Sequence, residues 1–268
     1  MEQKKNRKRT TFITCYALVL FILILGTIFL AIRFVGKPAQ PSSSHERTST
    51  PTQLPTLQGT VQPLFSDNFV NNKNGWSVVS VQGYTRTLQN NTLTLADTGH
   101  NVLIESVPTS TTFKNFSVTT TFTLMQADRN DSVGLYIRGD SNLDHDYRVD
   151  IFGDDTYAIS KETLNANNEL EQTFLIHPSR TNALKSIGQR NVLTIAMQGP
   201  TMTTQINGKT VHTLTDTTYT HGQIALFVEN GPTSNGVTAT FHDLVIYSLP
   251  DQSPLKSELN WKKLWWER

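Results

Sequence analysis

From Leu64 onward, apolar and polar residues alternate in short runs separated by turn residues, the two-residue period of strands that bury one face. The clearest run is Phe116–Leu124, in which Phe116, Val118, Thr120, Phe122 and Leu124 share one side. Val78–Val81, Thr92–Leu95, Val102–Ser106, Val133–Arg138, Tyr147–Phe152, Tyr157–Lys161, Val192–Met197, Thr203–Ile206, Thr210–Leu214, Gln223–Val228 and Val237–Tyr247 read in the same way. Asn207-Gly208 joins two such runs as a type I′ hairpin turn, which needs positive φ at both positions, and Gly153–Thr156 suits a second hairpin. Ile224, Leu226 and Val228 are expected on one face, and Phe241, Val245 and Tyr247 are expected to alternate inward on the last strand. So many short strands with so little helical period predict an all-β domain of two stacked antiparallel sheets over residues 63–249. Ser179–Ile187 fits either a short helical turn or a plain loop.

The pattern before this domain is different. Phe12–Ile32 is an uncharged run of about 21 residues, roughly 31 Å long as a helix, enough to cross a bilayer's hydrocarbon core. It is longer than the apolar region of a secretory signal and is not closed by a small-residue cleavage site, so a single uncleaved transmembrane helix is expected. Lys4, Lys5, Arg7, Lys8 and Arg9 make residues 1–11 a basic tail, against Arg33 and Lys37 beyond the span, which puts the N-terminus in the cytoplasm and the sandwich outside the cell membrane. Residues 33–62, rich in Pro, Ser, Thr and Gln, cannot bury enough apolar surface to offset their ordering entropy and read as an extended linker. Residues 250–268 carry Trp261, Trp265 and Trp266 beside Lys262, Lys263 and Arg268, a tail suited to a membrane interface, to a partner, or to the domain's own surface.

Composition narrows the function classes. The net charge is +1 and the basic excess sits in the first residues, so the outer domain offers no footprint for nucleic acid. The single cysteine, Cys15, falls within the apolar span, so the sandwich must be held by its core without disulfides. The histidines lack metal-ligand spacing, and no Gly-x-Ser-x-Gly pattern is present. Asn90, Asn115 and Asn130 each open an Asn-x-Ser/Thr acceptor sequence.

The runs Asn191–Ile195, Gln205–Lys209, Gly222–Leu226 and Val237–Ile246, with Leu64–Phe69, Gly75-Trp76, Val133–Arg138 and Tyr147–Val149, resemble the concanavalin A-like lectin/glucanase superfamily. The likeness is greatest to bacterial extracellular modules similar to 3-keto-disaccharide hydrolases. It implies an antiparallel jelly-roll β-sandwich, which the transmembrane helix read from the apolar run would precede, and it is specific for fold rather than for function. Trp76, beside Gly75 at the first strand, is expected in the core. The Glu-x-Asp-x-x-Glu carboxylates that retaining glucanases of this superfamily carry on one strand are missing. The acids cluster instead at Asp140, Asp144, Asp146 and Asp150, then Asp154 and Asp155, then Glu162, Glu169 and Glu171. A solvated turn accounts for Asp144-His145-Asp146; the sharper expectation is a binding loop in which Arg138, Asp144, Asp146, Tyr147 and Arg148 give a sugar hydrogen bonds and a stacking face. Pairing of the terminal strands, which the resemblance implies, would bring Asp67 near Asp243 as ligands for a structural Ca²⁺. The leading expectation is a membrane-anchored extracellular module that binds carbohydrate or another envelope ligand without catalysis. A sugar hydrolase of the 3-keto-glycoside type and a structural or assembly protein of the cell surface are the alternatives.

Overall fold

The computed structural model describes residues 62–251. The transmembrane expectation at 12–32, the linker and the tryptophan-rich tail lie outside them. Among the described residues every regular element is a strand: β1 (Phe65–Asp67), β2 (Ser80–Val81), β3 (Tyr84–Gln89), β4 (Thr92–Asp97), β5 (Val102–Ser106), β6 (Phe116–Gln126), β7 (Ser132–Gly139), β8 (Asp146–Phe152), β9 (Thr156–Leu164), β10 (Leu170–Arg180), β11 (Arg190–Gln198), β12 (Thr201–Ile206), β13 (Lys209–Thr215), β14 (Gln223–Glu229) and β15 (Val237–Ser248). No helix among these residues is long and apolar enough to cross a membrane.

The strands form two antiparallel sheets. One has nine strands, in the order β13-β12-β11-β6-β15-β4-β3-β2, with β1 paired to β15. The other has six, in the order β10-β9-β8-β7-β14-β5. β15 pairs with β6 along its length; on its other side its first half pairs with β4 and its second half with β1. The chain crosses between the sheets after β4, β5, β6, β10, β13 and β14, which gives the jelly-roll sandwich.

Period-two alternation fills the space between the sheets. Phe116, Val118, Phe122 and Leu124 of β6 meet Val133, Leu135 and Ile137 of β7, Val149 and Ile151 of β8, and Ile224, Leu226 and Val228 of β14 in one core. Thr120, on the same side of β6, is buried with its hydroxyl donating to the Asp243 carbonyl at 2.7 Å. Trp76 is in this core, as expected: its ring lies edge-on to Phe65 and Phe69, and its indole N–H donates to Asp67 Oδ2 at 2.7 Å. The Asn207-Gly208 turn has φ of 51° and 78° and joins β12 to β13.

Three readings of the pattern change. A bulge between Phe241 and Asp243 reverses the phase of β15, so Leu244 and Ile246 point inward while Val245 and Tyr247 turn outward. β3 and β10 are strands that the apolar pattern did not reveal: β3 is built largely on polar residues, and β10 is an edge strand, mostly exposed, with register shifts on either side of Ile176. Ser179 and Arg180 close β10, and the chain from Thr181 to Ile187 is a loop.

Candidate functional site

On β8 the strand period sends Tyr147, Val149 and Ile151 into the core and Asp146, Arg148 and Asp150 to the opposite face of the six-stranded sheet. Cross-strand register then fixes their neighbours. Arg148 stands between Tyr136 of β7 and Ser160 of β9, Asp150 between Gly134 and Ala158, and Asp146 opposite Glu162. β14 adds Phe227 opposite Gly134 and Glu229 opposite Ser132. Gly134 is required there, because a Cβ would overlap the Val149 carbonyl and the Phe227 ring.

Arg148 is the cation at the centre of this face. Its Nε and Nη2 donate to Asp150 at 2.6–3.1 Å, Nη1 donates to Glu162 Oε1 at 3.3 Å and to the Tyr136 hydroxyl at 3.2 Å, and Nη2 also pairs with Glu229. Its guanidinium lies 4.3 Å from the Phe227 ring centroid. Burial works against the charge, but Asp150, Glu229 and Glu162 hold Arg148 well above its ordinary pKa. Burial raises Glu162, and it pushes Asp146 up to about 8, with the Glu162 charge adding to the effect. Neither oxygen of Asp146 has a protein partner, and neither does Oε2 of Glu162, although both side chains are buried.

Beside this face, at one end of the sandwich, the 140–145 and 216–222 loops enclose a cleft of about 430 Å³. Arg138, Gly139, Asp140, His145, Tyr219, His221 and Gln223 are among its walls. Asp140 shapes the first loop by accepting from the Asn142 and Asp144 backbone N–H groups. His145 Nδ1 lies 3.0 Å from Asp140 and 2.8 Å from Asp144. Carboxylates only accept, so Nδ1 carries the proton, and these hydrogen bonds raise the imidazole's pKa. Leu143 folds from the loop onto Tyr136, Ala225 and Phe227, and links the cleft to the sheet face. Gly222 sits against the Arg138 and Gly139 backbone, where a Cβ would not fit. Asp140, Asp144 and His145 lie close enough together to hold a metal ion.

The residues expected to form one site are therefore distributed over several. Asp146 and Arg148 share the outer sheet face, while Asp144 is in the cleft loop. Tyr147 offers no stacking face, because it points into the core, where its hydroxyl donates to Asp216 at 2.6 Å and accepts from the Tyr219 N–H. Arg138 is buried, and its guanidinium donates to the carbonyls of Lys114, Gly199 and Tyr219, fastening three loops at the cleft floor. The Asp67–Asp243 calcium site does not assemble. Strand β1 puts Asp67 opposite Leu244, on the inward side, whereas Asp243 lies on the outward side. Asp67 accepts from the Phe69 N–H, Asn74 and Trp76, and Asp243 from the Thr121 N–H. Tyr136, Glu162 and Glu229 were not foreseen as neighbours of Arg148; the polar alternation Asp146, Arg148, Asp150 was the available signal.

The profile of the 3-keto-alpha-glucoside-1,2-lyase-like domain matches residues 61–245. The chain belongs to this family. Its sandwich is also similar to a Bacillus subtilis protein of unknown function with a galectin-like fold, at 11% identity and a TM-score of 0.51 over 71% of this chain and 97% of that one. The GH16 protein of the Bacteroides ovatus mixed linkage glucan PUL, in complex with a G4G4G3G product, matches at 12% identity and a TM-score of 0.50 over 68% and 99%. Carbohydrate binding module CBM66 from Bacillus subtilis matches at 16% identity and a TM-score of 0.49 over 65% and 96%. No curated protein matches the chain. These likenesses place the family's domain in the concanavalin A-like jelly-roll fold.

Proposed function

We propose that the protein recognises a sugar in the cleft between the 140–145 and 216–222 loops, and that it does so outside the cell, held to the membrane by the 12–32 helix. The observation that carries the sugar reading is the cleft itself. At about 430 Å³ it has room for a saccharide, and Asp140, His145, His221 and Gln223 offer both donors and acceptors for hydroxyl groups. Family membership supports a glycoside as the ligand class, the family's description being 3-keto-alpha-glucoside-1,2-lyase-like. Screening the full chain on a glycan array supplemented with 3-keto-α-glucosides tests the reading: saturable binding that His221→Ala weakens supports it, and an array without hits removes it. The membrane placement rests on the uncharged run and its basic flank. Reporter fusions at the C-terminus should be extracellular, and an intracellular reporter would overturn it.

A second reading, cleavage of a keto-glycoside, is favoured by the same family match. Within the cleft, the His145 imidazole held by Asp140 and Asp144 is the group positioned to move a proton. Turnover of a 3-keto-α-glucoside that is lost in His145→Gln would establish catalysis, whereas binding without turnover leaves recognition alone.

A further inference from the structure

The outer face of the six-stranded sheet has an excess of negative charge. Asp146, Asp150, Glu162 and Glu229 stand around one guanidinium, that of Arg148, so four carboxylates meet a single cation. Arg148 is spent on Asp150, on Glu229 and on one oxygen of Glu162. The remaining oxygens, Asp146 Oδ1 and Oδ2 and Glu162 Oε2, have no partner in the protein. They are not relieved by solvent, since Asp146 is 0% and Glu162 2% exposed. The two residues are direct cross-strand partners on β8 and β9, a relation that sets Cβ atoms roughly 4.5–5.5 Å apart on one face. Buried carboxylate oxygens without hydrogen-bond donors are costly, and such oxygens on two cross-strand neighbours call for a cation.

We propose that Asp146 and Glu162 hold a divalent cation of the calcium kind between β8 and β9. The donors are all carboxylate oxygens, the hard ligands that Ca²⁺ prefers, and its flexible coordination suits three protein oxygens with water or other oxygen ligands completing the shell. With all four carboxylates ionised, the formal count on this face is −3 against the one guanidinium, and a divalent charge brings it to −1. The site is separate from Asp140, Asp144 and His145, whose polar atoms satisfy one another on an exposed loop, and it does not depend on sugar binding in the cleft.

The test uses the full chain, stripped with chelator and titrated with calcium by calorimetry, with terbium luminescence as the second signal, sensitised by Tyr136 on the neighbouring strand. One equivalent of calcium should bind, raise the unfolding temperature and displace terbium. Asp146→Asn and Glu162→Gln should each weaken binding at least ten-fold, and Asp144→Asn should leave it unchanged. Absence of calcium binding by the folded wild-type protein overturns the proposal, as does binding that survives both amide variants and is lost in Asp144→Asn. Should an amide variant fail to fold, anomalous scattering from terbium-soaked wild-type crystals decides between an ion at Asp146–Glu162 and one elsewhere.

Discussion

Replacing Arg148 by Met isolates the energetics of the outer sheet face. The substitution keeps an unbranched side chain over Phe227 but removes the guanidinium that pairs with Asp150, Glu162 and Glu229. Asp150 and Glu162 are almost completely buried and would then have no cation beside them. Removing one partner of a buried ion pair costs about 3–5 kcal/mol, because the orphaned charge cannot recover its hydration. For a domain of this size each kcal/mol lowers the unfolding temperature by roughly 2–4 °C, so a drop of about 6–20 °C is expected. Arg148→Lys restores the charge without the planar fork that serves Asp150 through Nε and Nη2, and should lose about 1–3 kcal/mol. Urea unfolding and calorimetry of the full chain measure both variants. A loss below about 1 kcal/mol in Arg148→Met would mean that the carboxylates are not held by this residue, and it would refute the account of the network.

Other variants test the frame around the site. Asp67→Ala removes the acceptor of three hydrogen bonds at the first strand and should cost about 2–3 kcal/mol by urea unfolding; an unchanged midpoint would contradict the anchoring of Trp76 by Asp67. Gly134→Ala should destabilise by about 1–3 kcal/mol or more through overlap with Val149 and Phe227, and a neutral effect would show that the sheet yields there. Asp216 is lowered below the ordinary carboxylate range, since hydrogen bonds from Thr218, Tyr147 and Lys161 outweigh its burial. Its folded pKa lies under its unfolded one, so its stabilisation is complete above the ordinary carboxylate pKa and is lost progressively as pH falls from there toward the depressed folded pKa. Thermal melts between pH 2 and pH 7 should therefore show a shallower acid loss in Asp216→Asn than in wild type; equal slopes would contradict this.

The sandwich was legible where side chains alternate strongly. Phe116–Leu124 declares its buried face without any knowledge of its partners, and Asn207-Gly208 declares its turn through the φ values it requires. β3 has polar residues on both faces, and β10 contains Pro178 on an exposed edge, so neither shows the contrast that marks a strand. The inward positions of β15 were misassigned after Phe241 because one extra residue at a bulge inverts the parity of everything that follows. Parity also decided the candidate site. Adjacent residues in a strand face opposite ways, so Tyr147 could not join Asp146 and Arg148. Tyr136 and Glu162 reach Arg148 through the register of the adjacent strands β7 and β9, and Glu229 reaches it from β14, distant in sequence; the pattern of β8 alone encodes none of these pairings. Asp67 and Asp243 were correctly put on pairing strands, but a pairing argument without parity could not reveal that they face opposite sides.

The claim on which the functional reading turns is that a sugar occupies the cleft at the end of the sandwich. Its most direct test is binding of array-identified glycans by the full chain and by the double variant His221→Ala/Gln223→Ala, whose side chains line that cleft. The account predicts that affinity falls at least ten-fold while the unfolding temperature stays within a few degrees of wild type. Equal affinity in both proteins would place the ligand elsewhere and contradict it.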